Sequence, residues 1–237
     1  MKAVKIFKLI VHNGSNTITN EEIYQCLKLL PKEYQNINPI VYIHGDYKSY
    51  LKFCLRHLRF NDILDSMIDI PFESVKIGTK ITLGVYKPYL NEIHLHEYKI
   101  HKFLVIVKSS VMQIEDAKNN MTTEVWNIYE NMWIKYILYY NLVHELNHCL
   151  QKKERKLNIG LKKLMIKWNN SPNEIDSAQR SERIYKKYGD KFNKILKTEG
   201  IIVYHKYENG LDIGYEYSIE VDEDLNSDAI CYTKKDK

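Results

Sequence analysis

Leu142-Val143-His144-Glu145-Leu146-Asn147-His148-Cys149-Leu150 decides how the rest of this chain is read. It lies inside a run from about Thr123 to Gln151 in which Trp126, Tyr129, Trp133, Ile137 and Tyr140 recur at three- and four-residue steps, the period of a helix with an apolar face. On such a helix His144 and His148 stand one turn apart on the same side, where both imidazoles can reach one tetrahedral metal ion. Glu145 lies beside that side, close enough to take a proton from an activated water without itself being a ligand. Leu142, Val143, Leu146 and Leu150 are uncharged and can seat the helix in a core.

A catalytic zinc site needs a third protein ligand and one position left open. Three sources compete. Gln151 and Glu154 occupy the places where a metzincin-type site has Gly and His, and a helix continuing past Gln151 carries Glu154 away. His205 is a distant histidine with no motif around it. The sequence favours Glu174 in Ser171-Pro172-Asn173-Glu174-Ile175-Asp176-Ser177-Ala178, with Asp176 as the substitute. Glu174, Ser177, Ala178 and Ser181 share one helical face, and small residues there let two helices approach closely. Ser171-x-x-Glu174 also reads as a capping box, with Pro172 suited to a first turn.

These residues resemble the gluzincin class of zinc metallopeptidases, in particular small soluble members with a minimal catalytic domain. The likeness rests on HExxH in one helix and Asn173-Glu174-Ile175-Asp176-Ser177 in the next, and it covers roughly Gly84–Tyr188. It implies zinc held by His144, His148 and Glu174, Glu145 as general base, and peptide bonds as substrate. The class commonly has an Asp four residues after the ligand Glu, supporting a zinc histidine. Here Ala178 stands there, so support must come from elsewhere, with Asp176 or Asn147 as candidates. Gly84-Val85-Tyr86-Lys87-Pro88 and Asn91-Glu92-Ile93-His94-Leu95 resemble the hairpin ahead of the active helix in small zincins, whose last strand forms the sheet edge that pairs with an extended substrate. An oxyanion donor is sought after the third helix among Tyr204, His205, Tyr207, Tyr215 and Tyr217; His205, with Tyr204 beside it, is the choice.

Outward from this centre the chain reads as alternating elements. A strand is expected at about Val4–Val11, then a helix from Thr19-Asn20-Glu21-Glu22 through Ile23, Leu27 and Leu30, and a strand over Pro39–Ile43. A second helix fits Tyr50–Met67 with Leu51, Cys54, Leu55 and Leu58 on one stripe; Val75–Tyr86 alternates like a strand. After a turn at Asn91, Ile93 and Leu95 alternate with Glu92, His94 and His96 as in a half-buried strand, which makes exposed strand positions the simpler reading of His94 and His96 than a second metal site with His101. A third helix starts at Ser171-Pro172 and runs to about Tyr188, stopped by Gly189; the remainder holds one apolar strand, Ile201–Tyr204, and an acidic stretch from Glu216 to Asp224. The expected fold is α+β and zincin-like, a small mixed sheet packed on the HExxH helix and a following Glu-bearing helix. It forms a single domain over 1–237, with its core at about 38–200 and an acidic extension at about 201–237.

Composition narrows the partners. At 237 residues and 44% hydrophobic the chain can bury a real core, and 9 Gly with 5 Pro exclude fibrous or low-complexity character. No apolar run is long enough to cross a bilayer, and Met1–Ile10 alternates Lys with apolar residues rather than forming a signal peptide. Cys26, Cys54, Cys149 and Cys231 form no CxxC pair, which argues for a reducing, cytoplasmic setting. A net charge of +5 is mild for a nucleic-acid binder, although Lys152–Lys167 holds seven Lys or Arg against one Glu. The expected partner is a peptide or protein substrate without membrane involvement. The rival readings are an inactive zincin-like protein-binding module and a basic nucleic-acid-associated protein.

Overall fold

The computed structural model describes residues 3–59, 61–62, 83–111, 122–154, 172–199, 201–208, 211–219 and 231–232. In chain order the elements are β1 (Ala3–Ile6), β2 (Leu9–Asn13), α1 (Asn20–Leu29), α2 (Lys32–Gln35), β3 (Ile40–His44) and α3 (Tyr47–Arg56), followed by β4 (Gly84–Lys87), β5 (Glu92–His96) and α4 (Glu97–Val111). Two long helices, α5 (Thr123–Lys153) and α6 (Pro172–Leu196), precede β6 (Ile201–Glu208), β7 (Leu211–Ile219) and β8 (Cys231–Tyr232).

Local chemistry sets several of these boundaries. The expected first strand is two strands, because Phe7 at φ 51° turns the chain back and pairs Ile6 with Leu9. Thr19 caps α1 through a reciprocal capping box with Glu22. Helix α3 ends at Arg56, and its buried stripe is Tyr50, Phe53 and Cys54; Leu55 and Leu58 point to solvent, against the stripe expected from the sequence. Helix α6 does not stop at Gly189. Phe192 and Leu196 continue an apolar stripe into the core and are fully buried, so tertiary packing outweighs the roughly 1 kcal/mol helix penalty of one glycine. The expected strand over Val75–Tyr86 lies largely outside the described residues; its described end, Gly84–Tyr86, belongs to β4.

The main sheet has the order β1-β2-β3-β5-β4, with β2, β3 and β5 parallel and the outer pairs antiparallel. One face presents Leu9, Val11, Val41, Ile43, Ile93 and Leu95 to the main core, which α1, α4, α5 and α6 complete with Leu27, Leu104, Leu138, Tyr139, Leu142, Val143 and Phe192. The other face carries Tyr42, His44, His94 and His96 beneath Tyr50, Phe53 and Cys54 of α3. Strand β5 is therefore buried on both sides along its whole length, not half-buried as its alternation implies. Parallel neighbours covered by helices on both faces leave no solvent side for the polar residues of the pattern.

Among the described residues β4 forms the sheet edge, so the first strand of the hairpin, rather than its last, occupies that position. Strands β6, β7 and β8 form a separate antiparallel sheet that begins on Ile201–Tyr204, as the sequence suggests, and extends well beyond it. This α+β arrangement brings the HExxH helix and the Glu-bearing helix into contact beside the mixed sheet.

Candidate metal centre

Helices α5 and α6 meet through small and amide side chains. Ser177 and Ser181 are fully buried, and Asn147 opposite them donates to the Ser177 carbonyl (3.0 Å) and to Ser181 Oγ (2.9 Å). Ser177 Oγ donates to the carbonyl of His144 (2.7 Å), and Tyr34 from α2 donates to Asn147 Oδ1 (2.5 Å). Larger side chains at 177 or 181 would hold the helices apart, so the small face read from the sequence is what sets their spacing.

That spacing places Glu174 opposite the histidine pair. Glu174 Oε2 lies 3.2 Å from His144 Nε2 and 3.3 Å from His148 Nε2, and the two Nε2 atoms are 3.2 Å apart. The three atoms form a nearly equilateral triangle. A tetrahedral ion bound at about 2.0–2.1 Å has its ligand atoms about 3.3–3.4 Å from one another, so the triangle fits one face of such a coordination shell. The imidazole planes stand at 83°, which lets both nitrogens aim at one point. Asp176, the substitute ligand, instead faces Gln151 (2.8 Å) and Arg180 (3.0 Å). Among the described residues His144, His148 and Glu174 are the one group of three that could hold a metal ion.

No protein-family model, curated protein or solved structure matches the chain. The site is thus characterised by its own geometry, which is consistent with a zincin-like centre.

Electrostatics tie the centre together. Burial pushes the Glu174 carboxyl up, but hydrogen bonds from both histidines outweigh it and bring it down to about 2. For His148 burial works against the charged ring, while the Glu174 hydrogen bond and the Glu145 and Glu174 charges raise it to about 9. Glu145 is buried, and desolvation raises its carboxyl above the usual range despite the two imidazoles and a hydrogen bond from the Tyr86 backbone N–H.

Strand β4 holds Glu145 through two features. Tyr86 donates its backbone N–H, and Gly84 leaves room, since a Cβ there would lie 3.2 Å from Glu145 Oε1 and 3.0 Å from Leu95 Cδ2. A glycine inside a strand is the sequence signal for such a close approach, one the motif alone does not supply.

Gln151 is a second residue the motif reading passes over. It is 1% exposed, and its Oε1 lies 2.9 Å from His148 Nδ1. It fills the supporting role for which Asp176 and Asn147 are the sequence candidates, since a polar residue one turn past His148 on the buried face reaches the back of that ring. Cys149 is buried against Tyr86 and its thiol is pushed well up, which makes it an inert core residue.

His205 lies on β6 opposite Tyr215, with its side chain outside the described residues. Most of Lys152–Lys167 and of the acidic stretch after Ile219 lies outside them as well. A cavity of about 430 Å³ lined by Leu58, Arg59, Asn61, Asp62, Lys87 and Leu90 shares no residue with the triad.

Proposed function

We propose that the chain is a zinc-dependent metallopeptidase, with His144, His148 and Glu174 holding the ion and Glu145 serving as general base. The observation that carries this reading is the nitrogen–nitrogen–oxygen triangle with edges of 3.2–3.3 Å, beside the buried carboxylate of Glu145. Two imidazoles and one carboxylate, completed by a water as fourth ligand, would suit zinc among the common ions. When bound, zinc lowers the pKa of a water and polarises a carbonyl. Glu145, fixed by the Tyr86 N–H, takes the proton from the attacking water and delivers it to the departing amine.

The substrate is an extended peptide or protein segment on β4. The His96 backbone N–H donates to the Leu83 carbonyl (2.9 Å), so residues 83, 85 and 87 turn their backbone groups toward β5 while 84 and 86 turn theirs outward. The outward groups of Gly84 thus lie next to Glu145 at the sheet edge, where a strand-like peptide can pair. A cytoplasmic location accords with Cys26, Cys54 and Cys149 all being free and buried, and no helix of the described residues is long and apolar enough to cross a membrane.

A peptide-library digest with zinc-loaded protein tests this. Glu145→Gln is expected to retain zinc and to lose about 10²–10⁴-fold in cleavage rate. Cleavage undiminished in that variant, or none by the parent, would reject the assignment.

A further inference from the structure

The orientation of His148 is set by a chain of groups with only one consistent hydrogen-bonding direction. Gln151 Nε2 lies 2.8 Å from the Asn173 carbonyl oxygen and 2.8 Å from Asp176 Oδ2. Both of these are acceptors, so the amide NH₂ must face them, and Oε1, an acceptor, faces His148 Nδ1 at 2.9 Å. His148 Nδ1 therefore carries a hydrogen toward Gln151, which leaves Nε2, facing the His144–Glu174 side, as the nitrogen that gives up its own proton when an ion binds. The opposite amide orientation would set Oε1 against two further oxygens inside a site where Gln151 is 1% exposed.

We propose that Gln151 is the positioning residue of the metal centre: it fixes the Nδ1–H tautomer of His148 and so presents Nε2 to the ion. The assignment rests on the metal-centre reading above. Gln151 stands where a carboxylate usually backs a ligand histidine, and its amide also ties α5 to the first turn of α6, which carries Glu174. Arg180 extends the tie by pairing with both Asp176 and Glu154.

Two substitutions separate positioning from helix tying. Gln151→Met keeps the volume and removes both functions. Gln151→Glu restores an acceptor for Nδ1–H but cannot donate to Asn173 or Asp176. The readouts are zinc affinity by chelator competition, thermal unfolding of the metal-free protein, and the long-range ¹H–¹⁵N spectrum of the zinc-loaded parent. Expected are a dissociation constant raised about 10–100-fold in Gln151→Met, one within about threefold of the parent in Gln151→Glu, and His148 protonated at Nδ1 and coordinated at Nε2. Equal weakening in both variants, unchanged affinity in Gln151→Met, or coordination through Nδ1 would overturn the assignment. Should Gln151→Met fail to fold, the parent spectrum together with Gln151→Glu decides the matter. A parent that binds zinc while both variants bind it equally well sinks only the role of Gln151, whereas a parent that takes up no divalent ion sinks the metal centre with it.

Discussion

Among the described residues two histidine clusters stand out, and one of them, His144 and His148 with Glu174, has the geometry of a metal site. On α5, His144 and His148 cross at 83° and share a carboxylate. Across β3 and β5, His44 stacks on His94 and on His96 with ring planes at 11° and 17° and centroids 5.4 Å apart. In the strand cluster the ring nitrogens are tied to one another and to an ion pair: His44 Nε2 lies 3.1 Å from His94 Nδ1, and His94 Nε2 lies 3.1 Å from both Arg59 and Glu92. The second cluster also has its own cation. Arg59 lies 2.7 Å from Glu92, whose other close partner is His94 Nε2 at 3.1 Å, so the carboxylate there is already neutralised. Glu174 has the two imidazoles at that distance, and these are ligands as readily as donors. Counting histidines and carboxylates does not identify a centre; the convergence of three ligand atoms on one point does.

The largest expected difference between the clusters is in metal binding. His148→Ala should weaken zinc about 10³-fold or more, some 4 kcal/mol, while His44→Leu stays within about threefold of the parent in a chelator competition. Strong weakening by His44→Leu would erase the distinction. Next comes the guanidinium. Arg59→Met leaves Glu92 buried beside His94 and should cost about 3 kcal/mol in urea unfolding at neutral pH without altering metal stoichiometry.

The strand cluster should also respond to acid. Burial foremost, with the charges of Lys87 and Arg59 and the neighbouring His94 ring, holds His44 down to about 3 against the opposing pull of Asp46, and burial likewise depresses His94 and His96. Between pH 6.5 and 3 the unfolded chain therefore binds protons that the folded chain refuses. Stability is whole above pH 6.5 and falls as the pH drops through that window, by on the order of 3 kcal/mol at pH 4 from His44 alone. In His44→Leu the decline of unfolding free energy between pH 6.5 and 4 should be shallower by about that amount; an unchanged slope would mean that His44 is not held neutral. The smallest effect belongs to the periphery of the centre. Arg180→Ala removes partly exposed ion pairs to Asp176 and Glu154 and should cost under about 1 kcal/mol, with zinc affinity little changed.

Much of the centre is legible in the sequence because its determinants are local. The i, i+4 spacing on a long helix, and a carboxylate one turn into the next helix among small residues, survive the step to three dimensions. What the sequence hides is non-local. The alternation of Glu92, Ile93, His94, Leu95 and His96 suggests a wet face, yet α3 covers it, and nothing in β5 itself announces that cover. Gly189 looks like a stop signal only until Phe192 and Leu196 find their places in the core. Gln151 and Gly84 lie outside the motif, and their roles depend on groups brought from α6 and β4. The strand that becomes the sheet edge is likewise decided by pairing between β5 and β3, which leaves β4 outermost.

X-ray absorption at the zinc edge of the reconstituted protein reads the coordination shell itself. The account predicts one ion per chain with two imidazole nitrogens and a carboxylate oxygen at about 2.0–2.1 Å, and the loss of one imidazole shell in His144→Ala. Failure to take up an equivalent of zinc, or an identical absorption spectrum in parent and His144→Ala, would contradict it.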